Sequence, residues 1–266
     1  MSEPQDVIES LSGAGVLQGV TWAYLSATSG ALDIYSEAEG HDAALLGSMR
    51  YTLFRDRLDR VFACERYAVR SGDDDADLDL LFEGLTRRDI DTMPKLDAGL
   101  VRRSNLNGSP GWVFEQLRFL LASCDFGKLD SLPWPQKSPT KQRVAGQRDP
   151  EPSQPSLFED AFLEELGGLE VLDEDLDLVT YVVAHSLDPI SGNIELVFGR
   201  ARLNSGGGQA WRWKQDLLGM LPADGGRRTG GTPLPTGPST VSDAPVRLRR
   251  SAEERRNDRD SGAGGL

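Results

Sequence analysis

Apolar and polar positions alternate in two rhythms along this chain, and the rhythm predicts the elements. A short helix is expected from Gln5 to Leu11. The run Val20 to Thr28 reads as a strand. A Thr28-Ser29-Gly30 turn and a second strand from Ala31 to Ser36 follow, since Leu32 and Ile34 alternate with Asp33 and Tyr35. From Asp42 to Cys64, Leu46, Met49, Leu53, Phe54, Leu58, Val61 and Phe62 fall at helical spacing, with Asp56–Arg60 and Arg55–Asp59 as i,i+4 pairs. Asp75 to Leu85 reads as a short helix, and Trp112 to Ser123 as a second amphipathic one.

Beyond Leu129 the pattern dissolves. Residues 129–155 are rich in Pro and polar residues without apolar period, which predicts a linker. Leu157 to Leu166 then reads as a helix closed by Gly167-Gly168, and Leu176 to His185 as a strand. Turn chemistry at 187–193 precedes a strand from Ile194 to Leu203. A Gly206-Gly207-Gly208 break leads to a last helix, Gln209 to Leu221. The expected fold is α+β: two small ββα-type halves with antiparallel hairpins, residues 1–128 and 156–221, joined by the 129–155 linker. Residues 222–266 have almost no apolar content and are expected to form a disordered tail.

Composition changes this picture mainly through charge. The net charge is −13; eight Arg against six Asp/Glu in 222–266 leave −15 on residues 1–221. A body this acidic repels a phosphate backbone, so direct nucleic-acid binding by the folded part is not expected. Two cysteines, Cys64 and Cys124, do not make a disulfide scaffold. The N-terminus has neither a basic nor an apolar leader region, and no window approaches the ~18 apolar residues of a membrane span. A cytoplasmic protein without membrane contact is the expectation.

Candidate chemistry is sparse. Gln154-Pro155-Ser156-Leu157-Phe158 resembles the pentapeptide by which bacterial replication and repair proteins hold the sliding clamp. That resemblance implies Leu157 and Phe158 in an apolar pocket and the Gln154 amide bonded at its rim. The same residues also suit a capping box, Ser156 with Glu159, opening a core helix on Leu157, Phe158 and Phe162. Trp211-Arg212-Trp213-Lys214 sets two aromatics beside two cations. Read as a helix, it sends one Trp inward and leaves the other near the surface as an interface anchor.

Asp77-Leu78-Asp79 resembles the paired-aspartate strand by which nucleotidyltransferases hold magnesium, though Ser71-Gly72 stands in the wrong order and spacing for that family. A solvated helix start explains the aspartates as well. Arg87-Arg88 and Arg102-Arg103 either gather an anion or neutralise neighbouring Asp residues. His41 and His185 are the whole histidine stock, no His/Cys pair has zinc-site spacing, and no phosphate-binding or hydrolase motif occurs. No cofactor or metal is therefore expected. The preferred reading is a non-enzymatic adaptor acting through protein–protein contacts, with the bacterial sliding clamp as partner through Gln154, Leu157 and Phe158, and with Trp211 and Trp213 as further contacts. Its rivals are a metal-dependent nucleotide- or nucleic-acid-acting enzyme using Asp77 and Asp79, and an acidic immunity- or chaperone-like protein that binds a basic partner.

Overall fold

The computed structural model describes residues 3–68, 80–147, 178–205 and 207–220. Helix α1 (Glu3–Gly13) is joined to α2 (Val16–Ile34) through Gly15, which takes φ +76. A Cβ there would lie 2.8 Å from Leu96 Cδ2, so the position needs glycine for both its backbone and its space. Helix α3 (Ala43–Val61) starts where its cap predicts: the Asp42 carboxylate accepts a 2.8 Å bond from the Leu45 amide. A short α4 (Arg87–Thr92) opens on a Thr86/Asp89 capping box.

Six strands follow: β1 (Arg102–Arg103), β2 (Gly111–Phe114), β3 (Leu117–Ser123), β4 (Val179–Leu187), β5 (Ile194–Ala201) and β6 (Trp211–Asp216). They form one sheet in sequence order, antiparallel except for the parallel β3–β4 pair, where Leu117 stands opposite Val179 and Ser123 opposite His185. The residues expected to form two ββα halves thus contribute to a single mixed sheet. The α+β class holds; its subdivision does not.

Each face of the sheet has its own core, set by strand alternation. Phe119 and Leu121 (β3), Tyr181 and Val183 (β4), and Leu196 and Phe198 (β5) pack against α1, α2 and α3. Their neighbours Leu120, Ala122, Val182, Ala184, Val197 and Ala201 face the opposite way. There they meet Leu129, Leu132, Trp134, Val144 and Ala145, carried by 3-10 turns at Leu129–Ser131 and Trp134–Gln136 and by α5 (Pro139–Ala145). Residues 129–147 are therefore a packed layer where a linker was expected. Trp134 has no exposed surface and donates a 2.7 Å bond to the Ala210 carbonyl, anchoring a stretch whose prolines disguise it. Residues 148–155 of that expected linker, the expected 157–166 helix and the expected tail 222–266 lie outside the described residues.

Three expected elements are corrected. The hairpin of 20–36 is the continuous helix α2. Val16, Val20, Ala23, Ala27 and Ala31 line its buried side at 3–4-residue spacing, and Thr21 satisfies its hydroxyl at the Leu17 carbonyl, 2.8 Å away. The helix of 112–123 is the β2–β3 hairpin, turned at Glu115 (φ +51) with Phe114 opposite Leu117. Both faces of β3 are buried, so its sequence shows no strand alternation. The last helix, 209–221, is strand β6 up to Asp216.

Candidate functional site

Trp211 and Trp213 sit on opposite faces of the sheet although they are two residues apart on a strand. The cause is a bulge: Ala201 pairs with Trp211 and Arg200 with Trp213, so Arg212 is the extra residue. Trp211 enters the second core, edge-to-face with Trp134 at 5.6 Å, its indole N–H donating to the Leu129 carbonyl at 2.7 Å. Trp213 lies on the first face, against Tyr181 (5.5 Å) and Phe198 (6.0 Å), and stays partly exposed. One Trp inward and one near the surface was the expectation; a strand bulge, not a helix, brings it about. Gln154, Leu157 and Phe158 lie outside the described residues, as do Asp77 and Asp79.

One member of each Arg pair meets a carboxylate. Arg87 reaches Asp91 at 3.1 Å on the surface, and Arg103 reaches Asp59 at 2.7 Å while stacking over the Trp112 ring at 4.3 Å. Denser still is the group around Asp56 on α3. Its carboxylate accepts from Arg57 (2.6 Å), Arg60 (2.8 Å), Arg66 (2.6 Å) and the Tyr67 hydroxyl (2.6 Å). Burial raises the Asp56 carboxyl, but the bonds from Tyr67, Arg60 and Arg66 outweigh it and hold it down at about 2. Arg60 continues to the Leu80 carbonyl at 3.1 Å, so this group ties the 65–67 turn and residues 80–81 to α3. Every charge in it has a partner, which marks it as structural.

A different arrangement occurs at the end of the sheet where β3 gives way to residues 124–128 and β4 turns toward β5. The buried spine of α3 reads Leu46, Arg50, Phe54, Arg57/Leu58, Val61, so a cation stands where the helix faces the core. Arg57 there is satisfied by Asp56 and by the Ser26 hydroxyl at 3.0 Å. Arg50 is 6% exposed, and no hydrogen bond or ion pair among the described residues involves its guanidinium. Burial lowers its pKa, opposed by the Tyr24 hydroxyl and the Cys124 thiol nearby.

Those two neighbours carry no compensating charge at neutral pH. Burial pushes Tyr24 up to about 12 and Cys124 to about 11. The Tyr24 hydroxyl donates to the Ser186 carbonyl at 2.5 Å. Beside it lies His185, fully buried, with ring centroids 5.5 Å from Tyr24 and 5.3 Å from Phe54 and with neither ring nitrogen hydrogen-bonded. Burial, reinforced by Arg50, lowers its pKa to about 3, so it is neutral at pH 7. The Glu195 carboxylate approaches this group but accepts from the Ser186 hydroxyl and from the Gly127 amide (3.0 Å). Tyr24 and Cys124 thus keep their protons at neutral pH, and the His185 ring stays neutral.

The sequence pattern marks His185 at a strand end, whereas Arg50 escapes it. The available signal was spacing: Arg50 stands four residues from Leu46 and four from Phe54, on the apolar stripe of the clearest helix. Among the described residues no group of three or more His, Cys, Asp or Glu is placed to hold a metal, and no helix is long and apolar enough to cross a membrane. Comparison with protein-family models, with curated proteins and with solved structures finds no match, so function must be argued from this chain's own residues.

Proposed function

We propose that the protein is a non-enzymatic cytoplasmic adaptor that works by binding other proteins, with the bacterial sliding clamp as the partner of Gln154, Leu157 and Phe158. The carrying observation is the pentapeptide itself together with its place in the chain. It falls in the connection between β3 and β4, and both flanks of that connection are fastened. On one side the Ala145 carbonyl accepts from the Leu203 amide at 2.7 Å and the Gln147 carbonyl from Arg212 at 2.8 Å. On the other, Leu178 is buried and Val179 enters the sheet opposite Leu117. A partner holding residues 154–158 would thereby be linked at two points to the acidic body, which makes the chain a tether rather than a free peptide.

Titration of full-length protein into labelled sliding clamp tests this, with Leu157→Ala/Phe158→Ala alongside. Micromolar binding that the double variant loses by tenfold or more, with an unchanged unfolding temperature, is the expected result. Absence of binding by the full chain would remove the clamp from the proposal. The charge of −15 on residues 1–221 favours one second reading, docking of a strongly basic protein on the acidic body. That reading predicts co-purification that fades between ~50 and ~300 mM salt, where clamp docking through Leu and Phe would persist. The metal-dependent reading rests on Asp77 and Asp79 alone, and no observation among the described residues favours it.

A further inference from the structure

We infer that Arg50 is the centre of a binding site for a small oxyanion, a carboxylate or phosphate group, at the end of the sheet between α2, α3 and β4. The inference stands apart from the adaptor reading and from residues 154–158. Its ground is an unbalanced charge. A guanidinium removed from water needs a counter-charge and acceptors for its five N–H groups. The other cations on the buried side of α3 have them: Arg57 and Arg60 both bond Asp56. Arg50, as buried as either, has no carboxylate partner among the described residues, and its Nε is buried without an acceptor.

The surroundings favour an anion from outside over an internal partner. Tyr24, Cys124 and His185 are the titratable groups that Arg50 acts on, and all three are uncharged at pH 7. Glu195 is engaged by Ser186 and Gly127. Lys137 and Lys141 also act on His185, while Glu195 acts on Tyr24 and, with Asp125, on Cys124; no carboxylate is among the groups that act on Arg50. His185 adds a second unused donor: a neutral imidazole carries one ring N–H, and neither of its nitrogens has a partner. A planar guanidinium fork matches either a carboxylate edge or two phosphate oxygens. Thus the site supplies one fixed cation and one neutral donor beside Phe54 and Tyr24, and an oxyanion supplies the counter-charge that both call for.

Thermal unfolding of the full-length protein in sodium phosphate, sodium acetate and sodium chloride at matched ionic strength and pH 7 tests the site. A rise in Tm that saturates with phosphate or acetate but not chloride is expected, roughly 3–6 °C at about ten times the Kd. Comparing the two oxyanions shows whether the tetrahedral or the planar group is preferred. Arg50→Gln should abolish the saturable rise, whereas Arg87→Gln, which removes only the exposed pair with Asp91, should keep it. An equal response in wild type and Arg50→Gln would overturn the site. Should Arg50→Gln fail to fold, the side-chain Nε–H resonance of Arg50 in the wild type decides the question. It must shift saturably with the anion, and an unmoved resonance refutes the proposal.

Discussion

His185 occupies a place that an apolar residue would fill at lower cost. Its ring touches Tyr24 and Phe54, and neither nitrogen is bonded. With a folded pKa of about 3 against an ordinary value of 6.5, the unfolded chain binds a proton between those values and the folded chain does not. Stability contributed by the neutral ring is therefore complete above pH ~6.5 and falls as pH drops toward 3. His185→Leu should flatten that slope between pH ~6 and ~4 and leave stability at pH 7 equal or higher, since it removes two unbonded buried nitrogens. Denaturant unfolding of both proteins from pH 7 down to 4 reads this; parallel curves would show that the ring is solvated. Asp56 adds a separate loss below pH ~4, because its carboxyl is held down at about 2, and His185→Leu should leave that loss in place.

Among the elements, β6 shows how backbone contact decides what side-chain pattern suggests. Gly199 lies opposite Lys214 just before the bulge, and a Cβ on it would stand 2.4 Å from the Trp213 carbonyl oxygen and 2.8 Å from Lys214 Cα. Gly199→Ala must push β6 away from β5, at about 1–3 kcal/mol. Amide exchange should accelerate in 211–216 ahead of β4, and Trp213 emission should shift to the red; unchanged protection would mean that the strands accommodate the methyl. This strand was not legible: the sequence places a helix over 209–221 after the glycine break, and the bulge at Arg212 sends Trp211 and Trp213 to opposite faces, as a helix would. Helix α3 was legible because Asp42 caps it and one side stays solvated. Turn residues 187–193 likewise made the β4–β5 hairpin readable. Helix α2 and strand β3 were not, because burial on nearly all sides removes the period that separates the two states. Arg50 was missed although it stands as a charge on an apolar stripe, and its lack of a partner depends on α2 and β4, elements brought to it only by the tertiary fold.

For the whole molecule, the sheet is covered on both faces, and the second cover comes from the stretch with the least helical or strand pattern. Leu129, Leu132, Trp134, Val144 and Ala145 bury Leu120, Ala122, Val182, Ala184 and Trp211, so the prolines and lysines of that stretch conceal a layer of the core. Asn204 fastens it further, accepting from the Trp134 amide at 3.3 Å and donating to the Leu132 carbonyl at 3.1 Å. A tryptophan in a linker can be removed at almost no cost, within about ±0.5 kcal/mol. Trp134 is fully buried, stacks edge-on with Trp211 and bonds the Ala210 carbonyl. Trp134→Ala should therefore cost about 3–5 kcal/mol by deleting a large side chain from a packed core. Because Trp134 joins residues 129–147 to the start of β6, the same change should expose both stretches to protease together. A loss below about 1 kcal/mol, or cleavage in 129–147 of the wild type at unfolded-chain rates, would return that stretch to the status of a linker and leave one face of the sheet without its cover.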